Sequence, residues 1–112
     1  MKFIAVFLLF SATVLSGETQ TELHHQASED AARADKELND VYKLLMSKMA
    51  QAEKENLRKA QRLWIQFRDT QCKFEYEFYM PGSIAPMIAC QCHARMTKTR
   101  IKELREMLYG YH

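Results

Sequence analysis

The side chains best suited to chemistry are concentrated in one short run, Cys90-Gln91-Cys92-His93. Cys72 lies upstream, and His24 and His25 stand near the start of the chain. Thiolates with imidazoles make soft-metal sites, whereas paired thiols in an oxidising compartment make a disulfide. Ligands that share a helix face recur at three or four positions, as in His-x-x-x-His. Cys90, Cys92 and His93 do not all share one face at that spacing. Met46, Met49, Met87 and Met96 would suit copper(I), but methionine at helical spacing is usually a core filler. We expect no metal site and no cofactor. A metal or redox carrier using Cys90 and the histidines remains a third hypothesis, tested by a thiol count. No Ser/His/Asp arrangement, no His-Glu-x-x-His run and no Gly-rich phosphate loop is present, so an enzyme is not expected.

The compartment decides what the thiols do. The chain opens MKFIAVFLLFSATVLSG. Lys2 makes a short positive start, and Phe3 to Val14 is uncharged and apolar, the length of a signal-peptide core and too short to span a bilayer. Residues 1–17 are read as a signal peptide cleaved near Ser16/Gly17, which makes the protein secreted or periplasmic, with no stable membrane insertion afterwards. No Cys follows the apolar run to offer a lipid anchor. The remainder, about 95 residues, is one small domain with a thin core. Formal charge is +2, falling by one when Lys2 is removed. Such a balance gives no electrostatic reason to bind nucleic acid.

The elements that must position these residues are helices. Between Gly17 and Pro81 there is neither Gly nor Pro, and Ala, Leu, Lys, Glu, Gln and Met dominate, all good helix formers. Helix 1 is expected from Ser28, whose hydroxyl can cap, after a flexible segment 18–27. Ala31, Ala34, Leu38, Val41 and Leu45 form its buried stripe, widened by Tyr42 and Met49. A second stripe is Leu57, Ala60, Trp64, Phe67, Phe74 and Phe78. The twelve-residue step from Leu45 to Leu57 turns the stripe by about 120°, so a turn is expected within 50–56. FEYEFY (74–79) alternates like a strand, but no partner strand is visible, and helix 2 is continued through it. MPGSIAPM (80–87) is the clear loop, with Pro86 in the first turn of helix 3. Met87, Ala94, Ile101 and Leu108, interleaved with Cys90, Thr97 and Leu104, carry helix 3 to Tyr109, and Gly110 ends it. The fold class is all-α, a three-helix antiparallel bundle over 28–109.

In such a bundle Cys72 and Cys92 each lie about 10 Å from the connecting loop, at one level on neighbouring helices. The pairing Cys72–Cys92 is favoured and would contribute about 3 kcal/mol by restricting the unfolded chain. Cys90, two positions away, points to nearly the opposite face and reads as a buried core thiol. The rival pairing, Cys72–Cys90 with Cys92 free, stays open because helix phase near a loop shifts easily.

The runs ADKELNDVY (34–42), LRKAQRLWIQFRDTQC (57–72), GSIAPM (82–87) and CHARMTKTRIKEL (92–104) resemble the lysozyme inhibitor LprI-like N-terminal domain family. The resemblance covers nearly the whole expected mature chain. It implies a small helical protein of the bacterial envelope, secreted or lipid-anchored, whose named activity is inhibition of lysozyme. The residues of this chain that carry the motif are Asp35, Leu38, Asn39, Tyr42, Gln61, Trp64, Phe67, Arg68, Asp69, Thr97 and Arg100, all read as structural. Trp64 and Phe67 read as core anchors. Arg68 and Asp69, as helix neighbours, are expected to pair elsewhere: Arg68 with Asp35 or Asn39, Asp69 with Thr97 or Arg100. The chain departs from the family at TQTELHHQASED (19–30), where His24 replaces a usual Asn and Gln26 a usual Cys, and Cys90 is additional. A family bridge through the N-terminal Cys cannot form here.

The function expected on this basis is binding and inhibiting a muramidase, with a protein, lysozyme, as partner. An inhibitor of that kind must enter a cleft holding two carboxyl groups. The one protruding loop offers Ser83 as a hydrogen-bond donor, flanked by Gly82 and Ile84. The alternative is an envelope adaptor or immunity-like protein with another partner, meeting it through Tyr76, Tyr79, Tyr109 and Tyr111. His93 is expected to be exposed. The oligomeric state does not follow from the sequence.

Overall fold

The computed structural model describes residues 19–111; the expected signal peptide lies outside them. Three helices account for the described chain: α1 (Gln20–Ser47), α2 (Gln51–Tyr79) and α3 (Ala85–Tyr109). None of them is long and apolar enough to cross a membrane. Helix α2 runs antiparallel to the other two. Lys98 meets Asp30 and Arg105 meets Glu37, so α1 and α3 ascend together, while Arg68 meets Asp35 and Cys72 meets Cys92. Helix α3 packs against both α1 and α2. Helices α1 and α2 approach less closely and leave a groove between them.

Helix α1 begins eight residues before Ser28. Thr19 is its cap, with the Glu22 amide donating to Thr19 Oγ1 at 3.2 Å. Thr-x-x-Glu is a capping-box pattern, and it places the start of the helix at Thr19 rather than Ser28. Residues 20–27, expected to be flexible, are helical, and they carry His24 and His25. The turn between α1 and α2 falls at Lys48–Ala50, overlapping the start of the expected interval. It has no glycine or proline. The Ala50 amide instead donates to the Glu53 carboxylate at 3.3 Å, half of a capping box. Helix α2 does continue through FEYEFY to Tyr79, and α3 ends at Gly110.

The stripe predicted on α1 is buried in full: Ala31, Ala34, Leu38, Val41 and Leu45, with Ala27 added. The stripe predicted on α2 is not. Helix α2 buries Leu57, Gln61, Arg68 and Cys72. Trp64 is partly covered, but Phe67, read as a core anchor, is 61% exposed, and Phe74 and Phe78 are exposed as well. Ranking by hydrophobicity selected the aromatic face. The fold turns inward the face that carries the disulfide and an arginine already supplied with partners, where burial costs little.

Two different interiors result. At the end of the α1–α2 turn, Leu38, Val41, Leu45, Leu57, Ile101 and Leu104 form one apolar cluster, backed by Tyr42, Met46, Met49, Trp64 and Leu108. At the end of the α2–α3 loop the covered residues are small: Ala27, Ala31, Ala34, Ala85 and Ala94, with the disulfide. There the Cα atoms of Cys72 and Cys92 are 5.5 Å apart with the sulfurs at bonding distance. That geometry selects the favoured pairing over Cys72–Cys90. Cys90 is free and only half-buried, not a core thiol.

Candidate functional site

The α2–α3 connection is the tip of the molecule nearest the disulfide. Met80 caps α2, the Met80–Pro81 peptide is cis, and the Gly82 amide donates back to the Tyr79 carbonyl at 2.8 Å. A Cβ at Gly82 would stand 2.7 Å from that same carbonyl oxygen, so the fold of the tip needs glycine there. Gly82, Ser83 and Ile84 are all exposed. Ser83 is not idle: its Oγ accepts a hydrogen bond from Gln20 Nε2 at 2.7 Å. The tip is thus tied to the first turn of α1. The disulfide closes the hairpin behind it, between residues 72 and 92. What the arrangement can do chemically is present a short, braced turn with a hydroxyl whose hydrogen is free to be donated.

Behind the tip lies a polar network that joins all three helices. Arg68, 8% exposed, donates from Nη1 to Asp35 Oδ1 (3.5 Å) on α1 and to Thr97 Oγ1 (3.4 Å) on α3. Its Nε donates to Asp69 Oδ1 at 3.0 Å. The expected Arg68–Asp35 contact is therefore present. The expectation that Arg68 and Asp69 do not pair is corrected: the arginine is long enough to curl back to its neighbour's carboxylate. Asp69 does not reach Thr97 or Arg100. Thr97 serves Arg68, while Arg100 donates to Gln61 Oε1 at 2.9 Å and to Glu103 Oε2 at 3.0 Å. Both arginines also face the Trp64 ring, their Cζ atoms 5.0 Å (Arg68) and 5.8 Å (Arg100) from its centroid. Cation–π contact adds to the hydrogen bonds in holding this register.

His93 is half-buried rather than exposed. With Nε2 carrying its hydrogen, it donates to Asp35 Oδ1 at 2.7 Å. Asp35 thus accepts from both α2 and α3. No spacing in the sequence signals this contact, which depends on how α1 and α3 pack. His24, also read as a tail residue, has an enclosed Nε2 with no hydrogen-bond partner among the described residues.

Two clefts flank the network. The groove between α1 and α2, about 460 Å3, is lined by Asp35, Leu38, Asn39, Tyr42, Gln61 and Arg68, all motif residues, together with Arg58, Arg62 and Ile65. A second cleft of about 510 Å3 contains Cys90, His93 and Asp35 beside Tyr76. Among the described residues no group of three or more His, Cys, Asp or Glu is placed to hold a metal ion. The four tyrosines of the adaptor reading are not brought together. Tyr76 and Tyr79 stand near the tip, Tyr109 stands at the far end of α3, and Tyr111 there bonds Glu53.

Residues 12–104 match the family described as lysozyme inhibitor LprI. The chain belongs to that family. A protein of uncharacterised function from Rhizobium meliloti (strain 1021) is 35% identical over 103 residues, covering 80% of this chain and 74% of the relative. No solved structure matches. In this LprI-family chain the motif residues fall into three sets. Asp35, Gln61, Trp64, Arg68, Asp69, Thr97 and Arg100 form the interhelical network, Leu38 belongs to the apolar cluster and Tyr42 packs against it. Asn39 and Phe67 are exposed.

Proposed function

We propose that this protein is an extracytoplasmic inhibitor of a muramidase, acting by protein–protein binding and not by catalysis, and that the tip Gly82-Ser83-Ile84 is the part that enters the enzyme. Membership of the lysozyme inhibitor LprI family is the observation that carries the activity. The choice of the tip is supported by its exposure, by the Gln20–Ser83 tether and by the disulfide behind it. A loop already held in one shape loses little conformational entropy on binding. Ser83 keeps a donor for a carboxyl group of the target cleft while its lone pair is occupied by Gln20. Export fits the disulfide and the apolar start of the chain, with residues 1–17 removed near Ser16/Gly17.

The test is a binding titration of oxidised protein against lysozymes of more than one type, with Ser83→Arg alongside. The expected result is saturable binding that Ser83→Arg weakens at least tenfold while the helical signal is unchanged. Binding that the variant leaves intact would move the site to a helix face. No binding to any of the enzymes would overturn the reading.

A further inference from the structure

Helix α2 carries a second apolar face that none of the described residues covers. Leu63, Phe67, Phe74 and Phe78 are 66%, 61%, 59% and 72% exposed. At about 100° per residue all four fall within an arc of about 60°, well away from the buried line of Gln61, Arg68 and Cys72. Two such apolar pairs on one face, spanning four helical turns with Thr70 between them, mark an interaction surface. We propose that it is the interface of a homodimer in which α2 of one copy lies antiparallel against α2 of a second.

Two features select a second copy. The first is spacing. A pairing that sets Phe67 opposite the second copy's Phe74 also sets Leu63 opposite its Phe78. Both pairs are centred on the same point, between Thr70 and Gln71. A surface complementary to itself about one point is what a two-fold interface requires. The second is area. With aromatic side chains offering roughly 200 Å2 each, the open fraction of these four residues sums to roughly 500 Å2 per copy. Pairing two copies offers up to about 1,000 Å2 to cover, the lower bound for a specific interface. The arrangement directs the two 80–84 tips toward opposite ends of the dimer, so it does not compete with the binding reading above.

The test uses residues 18–112, which contain every described core contact and the disulfide, and measures mass by sedimentation equilibrium. The expected result is twice the monomer mass at 100 µM. Phe67→Glu with Phe74→Glu should weaken association at least 100-fold with unchanged thermal unfolding of the monomer, since neither residue is in the core. A wild type that is monomeric at 200 µM overturns the proposal, and so does a dimer that survives the paired glutamates. If the wild type is monomeric and the paired glutamates abolish lysozyme binding, the stripe belongs to the enzyme target and not to a second copy.

Discussion

The two ends of the bundle are built by different means. At the α1–α2 turn, large aliphatic side chains meet, and Leu45 and Leu104 are 0% exposed. At the α2–α3 loop, the covered side chains are alanines, and what replaces bulk is a disulfide and a charged network around Arg68. Alanine-lined helices approach closely but release little apolar surface, so the hydrophobic term is small there. A covalent link acts on the unfolded chain, and the network acts on register. The proposed binding tip projects from the second end. A function that needs a fixed turn is thus served by the constraint that does not depend on core volume.

Damage to each end should read out differently. Leu104→Ala removes a fully enclosed side chain and should lower stability by about 3 kcal/mol, measured by urea denaturation, with the loss felt throughout the bundle. Replacing both Cys72 and Cys92 by Ala should cost about 3 kcal/mol or slightly less. There the loss should be local: hydrogen exchange of amides in 72–92 should speed up more than that of amides around Leu45 and Leu104. Equal acceleration at both ends would remove the distinction. Asp35→Ala strips Arg68 and His93 of a shared acceptor and should cost about 2 kcal/mol by the same denaturation, with the helix content retained.

Smaller effects sharpen the contrast further. Phe67→Ser should change monomer stability by less than about 0.5 kcal/mol, because its ring faces outward. The smallest effect is at Asp40 on the surface of α1. Its carboxyl is held below the ordinary value by a hydrogen bond from Lys36, whose own ammonium is correspondingly raised. Asp40→Asn should therefore lower the melting temperature slightly near neutral pH. The difference should vanish as pH falls through the folded-state value of Asp40, and again in strong alkali once Lys36 loses its proton.

Much of this was legible from residue order alone, for reasons that differ by element. The α1 stripe was readable because that face is uniformly apolar and its period is unbroken. Helix α3 was readable because Pro86 and Gly110 bracket it. The Cys72–Cys92 pair followed from equal distances to one loop. The inward face of α2 was not legible, since no hydrophobicity scale predicts that Gln61 and Arg68 face in while Phe67, Phe74 and Phe78 face out. Only the partners, Arg100 for Gln61 and Asp35 with Thr97 for Arg68, make that choice favourable. The same inversion concealed the site information. Asp35 and His93 were read apart, and their contact depends on two helices meeting in parallel.

The most direct test joins the Cys72–Cys92 disulfide to the activity. Cell-wall clearing by lysozyme would be followed while the oxidised protein, or the Cys72→Ala/Cys92→Ala variant, is titrated in, at a temperature where both remain helical. The expected result is dose-dependent inhibition by the oxidised protein and at least a tenfold loss of potency in the variant, because the tip is then no longer braced. Absence of inhibition by the oxidised protein at several-fold molar excess, against more than one type of lysozyme, would contradict it.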